Sequence, residues 1–116
     1  MTTQSDATLL STFARERDEA AFRALVDRHL SLVFHAAERK SGSRVMAEEI
    51  AQNVFCAVAA KAGSLARHPE RFVPWLHRVT LYESTKAMRS EASQQRRKGL
   101  LHPDSMSPGD RENDAV

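Results

Sequence analysis

Between Asp18 and Ala62 the apolar residues return at three- and four-residue intervals, and only the stretch "KSGS" breaks the pattern. In "EAAFRALVDRHLSLVFHAAERK" the stripe is Phe22, Leu25, Val26, Leu32, Val33 and Ala36. In "VMAEEIAQNVFCAVAAK" it is Ala47, Ile50, Ala51, Val54, Phe55 and Val58. This period fits one face of an α-helix rather than the alternation of a half-buried strand. The break itself carries helix-ending and helix-starting chemistry: Gly42 suits a left-handed stop, and Ser43 suits a new N-cap. Two long helices joined by a tight turn are expected, the later one running from Arg44 to Ala62 and ended by Gly63.

A helix lies on either side of this pair. Asp6 is expected to cap a short first helix whose stripe is Leu9, Leu10 and Phe13, and Asp18 to cap the second after "RERDE" interrupts. The stretch "GSLARHPERFVP" is punctuated by Gly63, Pro69 and Pro74 and reads as irregular. Pro74 then fits the first turn of a fourth helix, "PWLHRVTLYESTKAMRSEASQQRRK". The tail "HPDSMSPGDREND" has two prolines and no apolar period, so a linker or disordered segment is expected. The reading is an all-α bundle of about four helices over residues 1–99, with a polar tail over 100–116. A chain of 116 residues fits one domain, and its 41% apolar content suits a modest core.

Several function classes are disfavoured. No apolar run is long enough to cross a bilayer, and "MTTQSDATLL" lacks the basic start and apolar block of a secretory signal. Cys56 is the only cysteine, which fits a reducing cytoplasm. The five histidines never take the helical i, i+4 spacing or the Cys pairing that zinc favours. Glu48 and Glu49 are adjacent, so their side chains diverge by about 100° and do not form an acid/base pair. No catalytic residues, metal or cofactor are expected, and the chain is not expected to be an enzyme.

Charge points elsewhere. Residues 1–70 carry nine basic and nine acidic side chains, whereas residues 71–98 carry seven basic against two acidic. Such a concentration is the footprint of a surface facing phosphates, or else a solvated basic helix end. On the last helix Trp75, Arg78, Tyr82, Lys86 and Arg89 fall within an arc of about 80°. Cations interleaved with rings are what capture of a single nucleic-acid strand uses; a Trp at that position can equally be packed into the core. On the helix from 45 to 61 the outer half collects Glu48, Glu49, Gln52 and Asn53, followed by Cys56, Ala59 and Ala60. An acid/amide cluster over small residues suits close docking of a basic helical partner, or is an ordinary amphipathic helix with an alanine-rich end.

"AEEIAQNVF" resembles the A-E-D-x-x-Q-x-x-F signature in region 2 of bacterial sigma factors of the extracytoplasmic-function (ECF) class. "DEAAFRALVDRHLSLVFHAAER" is similar to the helix preceding that signature, "VPWLHRV" to the Trp-Leu-x-Arg-Val/Ile opening the promoter-facing helix, and "AMRSEASQQRRK" to its arginine-rich end. The resemblance covers about residues 6–98. It implies a non-enzymatic module that binds the clamp helices of RNA polymerase core and helps melt the promoter −10 element by holding its non-template strand.

Carried over by residue, the resemblance implies core contacts at Glu48, Glu49, Gln52 and Asn53. It implies DNA contacts at Arg71, Trp75, Arg78, Tyr82, Lys86, Arg89, Arg96, Arg97 and Lys98. An anti-sigma factor is a further partner it admits. Asn53 stands where the family usually has an acid, so core binding is expected to weaken by about 1 kcal/mol. Leu81, Tyr82 and Lys86 also depart from the family pattern, so base preference need not follow the norm. The helix-turn-helix domain of complete members, region 4, does not follow region 2 here. The resemblance therefore implies an excised region 2 or a truncated protein that starts transcription poorly alone. A module that keeps polymerase binding without promoter recognition, and an unrelated helical DNA-binding domain, remain alternatives.

Overall fold

Polar caps decide where most of the helices begin and end. The computed structural model describes residues 4–99, so the expected disorder of the tail over 100–116 lies outside the described residues. Four helices make up almost all of the described chain: α1 (Asp6–Glu16), α2 (Glu19–Ser41), α3 (Arg44–Arg67) and α4 (Phe72–Gly99). A single 3₁₀ turn, Pro69–Arg71, precedes α4, and there is no strand among the described residues.

The predicted caps at the α1–α2 and α2–α3 turns hold. Asp18 accepts from the Ala20 N–H at 3.0 Å, and Ser43 accepts from the Met46 N–H at 3.1 Å. Gly42 ends α2 with φ of 72°, a conformation that glycine adopts without the Cβ clash other residues meet. At α1 the cap moves by one residue: Ser5, rather than Asp6, accepts from the Thr8 N–H at 3.1 Å. Asp6 thereby becomes the first helical residue, where its charge complements the helix dipole and its side chain is free for α2.

The end of α3 corrects the sequence reading most. The helix does not stop at Gly63 but runs on to Arg67. A glycine inside a helix costs only about 1 kcal/mol, whereas the last turns bury Ala62 and Leu65 against the core. Burying one leucine side chain returns about 1.5–3 kcal/mol, so tertiary packing overrides the local stop. The true terminator is Pro69, which disfavours helical geometry in the residue before it; His68 sits at φ −133°, ψ 64°. The segment read as irregular shrinks to His68 and one 3₁₀ turn. Pro74 lies in the first turn of α4, where a missing N–H leaves nothing unpaired.

The core draws on all four helices: Leu10 from α1, Leu25 and Val33 from α2, Ile50, Val54 and Val58 from α3, Phe72 and Leu76 from α4. All six residues of the predicted α3 stripe are buried. On α2 the stripe is displaced: Leu32 is 55% exposed, while His29, absent from the predicted stripe, is 8% exposed. Small residues, among them Ala37, Ala47, Thr80 and Ser84, let the helices approach closely. The two hydroxyls cost little there, because Thr80 donates to the Leu76 carbonyl at 2.8 Å and Ser84 to the Thr80 carbonyl at 2.7 Å. From Met88 to Gly99 no residue of α4 is buried, so its last turns project beyond the bundle.

Candidate functional site

Two surfaces of contrasting chemistry remain once the core is formed. The first is an open groove of about 960 Å³ lined only by α2 and α3. Its walls are Phe22, Val26, Leu30 and Phe34 on one side and Ala51, Phe55, Cys56 and Ala59 on the other. Leu30 is 41% exposed there, a large apolar side chain left without a covering element. Polar groups border this floor: Asp27 and Ser31 from α2, and Arg44, Glu48, Gln52 and Asn53 from α3. The Arg44 guanidinium stands 5.7 Å from the Phe34 ring centroid, close enough for a cation–π contact.

The α3 acid/amide cluster therefore borders an apolar trough. Three of the four side chains singled out in the sequence, Glu48, Gln52 and Asn53, line it; Glu49 is exposed on the same helix but outside the lining. The α2 wall escaped the sequence reading, because Phe22 and Val26 share their spacing with the core stripe and periodicity alone does not separate them.

The second surface lies between the end of α3 and the start of α4. A pocket of about 230 Å³ is lined by Lys61, Ser64, Leu65 and His68, by Arg71 of the 3₁₀ turn, and by Trp75 and Arg78. Three basic side chains, Lys61, Arg71 and Arg78, and an indole thus face a cavity with room for a flat ring but not for a helix about 10 Å across. Trp75 is half-buried and stacked on Phe72 at 6.4 Å between centroids, and it also lines the pocket. His68 Nδ1 lies 3.8 Å from Glu70 Oε1, so one carboxylate borders this side.

Beyond the pocket the basic face continues along α4. Tyr82 is 65% exposed, and Lys86 and Arg89 are exposed beside it. Lys86 Nζ is 3.9 Å from Glu83 Oε1, an exposed ammonium at the long limit of an ion pair with a mostly covered carboxylate. Arg96, Arg97 and Lys98 occupy the last turn, where the helix dipole favours cations. They are separated along α4 from the pocket that Arg71, Trp75 and Arg78 share. Lys61 and His68 were missed because α3 was ended at Gly63; once the helix continues, residues 61, 64, 65 and 68 fall on one face. Among the described residues no group of three or more His, Cys, Asp or Glu side chains could hold a metal ion, and no helix is long and apolar enough to cross a membrane.

Fold and surfaces together define a small helical domain, with an apolar trough on one helix pair and a cationic, aromatic pocket on another. The chain belongs to the sigma-70 region 2 family, whose model matches residues 25–94, more than half of the sequence. No curated protein and no solved structure matches it.

Proposed function

We propose that this chain is the region 2 module of an ECF-like sigma factor, acting in the cytoplasm and without enzymatic activity of its own. The α2–α3 groove receives a helical element of RNA polymerase core, and the α3–α4 face holds the melted −10 element. The observation that carries this reading is the division of chemistry between two helix pairs in a member of the sigma-70 region 2 family. An apolar floor bordered by Glu48, Gln52 and Asn53 suits a helix that presents apolar and basic side chains. A pocket walled by Lys61, Arg71, Arg78 and Trp75 suits a single-stranded nucleotide, with cations for the phosphate and a ring for the base.

The test has two arms. Pull-down with bacterial polymerase core should capture the wild-type chain, and Gln52→Ala should bind more weakly; equal capture of the two removes the α3 assignment. A labelled single-stranded DNA of mixed sequence, presented with core, should bind in a salt-dependent way. The substitution of the family pattern at Leu81, Tyr82 and Lys86 favours one alternative, a module that binds polymerase without touching DNA. Core capture with no salt-dependent DNA binding would establish that alternative.

A further inference from the structure

His29 is the one buried histidine among the described residues, and it joins three helices. Its Nε2 lies 3.1 and 3.0 Å from the two carboxylate oxygens of Asp6, the first residue of α1. A carboxylate only accepts, so Nε2 carries the proton and donates. Asp6 is held in turn by Arg28, whose guanidinium donates to Asp6 Oδ1 at 2.8 Å and to the Gln4 carbonyl at 2.6 Å. With its ring fixed in this way, His29 meets Phe72 edge-on, at 5.3 Å and 89°. Phe72 is fully buried, follows Arg71 directly, and stacks on Trp75.

A continuous series of contacts therefore runs from Asp6 through His29 and Phe72 to Trp75. It ends at the aromatic wall of the cationic pocket. Asp6 lies on the N-terminal helix α1, outside the matched residues 25–94. We infer that Asp6 and His29 are positioning residues for the nucleotide pocket: the carboxylate sets the imidazole orientation, the imidazole edge seats Phe72, and Phe72 sets the tilt of Trp75. The bond from Asp6 alone would serve to attach α1. What assigns a positioning role is the right-angled contact onto Phe72 and the placement of Phe72 between two pocket residues. This inference rests on the proposed capture of single-stranded DNA by that pocket.

Trp75 is the only tryptophan, so its emission reports on the pocket in the free 116-residue chain. Asp6→Ala, which deletes the acceptor, should shift that emission and weaken mixed-sequence single-stranded DNA binding, measured with core present, by about five-fold. Asp6→Asn keeps an acceptor oxygen and should restore both readouts. His29→Gln keeps a donor towards Asp6 but removes the ring, and should reproduce the Asp6→Ala result. Core capture should be unchanged in all three, because the groove is built by α2 and α3 alone. Unchanged emission and DNA affinity in Asp6→Ala and His29→Gln would overturn the inference. So would parallel loss of DNA and core binding in step with a lowered melting temperature, which marks a role in the fold at large. A wild-type chain that binds no DNA overturns the parent reading together with this one, an outcome distinct from binding that ignores the substitutions.

Discussion

Gly63 shows how little a single residue decides when its neighbours are buried. It sits inside α3, and a Cβ added there would meet nothing within 4 Å. Gly63→Ala should therefore stabilise the chain by about 0.5–1 kcal/mol, visible as a raised melting temperature, because alanine restricts the unfolded chain without a clash in the folded one. At Asn53 the effect belongs to binding. The side chain lines the groove without a charge, so Asn53→Asp should raise affinity for polymerase core about five-fold, measured by titration at low salt. Arg17 is a contrasting case. It closes α1 at a positive φ of 52°, yet its guanidinium donates to the Ala59 carbonyl at 3.2 Å and lies 4.1 Å over the Phe13 ring. Those contacts hold a non-glycine residue in a backbone region that it seldom visits.

At the scale of elements, what sequence revealed and what it concealed follow one physical division. Asp18, Gly42 and Ser43 cap through hydrogen bonds and dihedrals of their own neighbourhood, and all three act as the sequence implies. The end of α3, the exposure of Leu32 and the burial of His29 depend on which face meets another helix, and local chemistry does not carry that information. The candidate site divides in the same way. The Glu48/Gln52/Asn53 cluster was legible because one helix presents it, whereas its apolar floor and the Lys61/His68 wall exist only once pairs of helices are assembled. The groove as an element can be tested through Leu30. Leu30→Glu places a charge on the floor at an already exposed position, so core affinity should fall about ten-fold or more while the melting curve stays within about 0.5 kcal/mol of wild type. Equal core binding by the variant would remove α2 from the interface.

For the whole molecule, the two surfaces should answer differently to ionic strength. If Arg71, Arg78, Lys86 and Arg89 each engage one phosphate, log affinity for single-stranded DNA should fall with log salt at a slope of roughly −3. Binding at the mostly apolar groove should show a much shallower slope. Measuring both on one preparation separates them without any substitution, and equal slopes would contradict the division of labour between the helix pairs.

The unburied end of α4 has a further consequence. From Met88 to Gly99 no residue of the helix is buried, so little apolar packing opposes fraying there; within these turns Gln95 Nε2 donates to Glu91 Oε1 at 3.1 Å. Amide protons in these turns should exchange with solvent far faster than those near Leu76, because opening them exposes little apolar surface. On the proposed reading, a nucleic-acid backbone lying along this end of α4 should slow that exchange, which hydrogen exchange measured with and without single-stranded DNA would check.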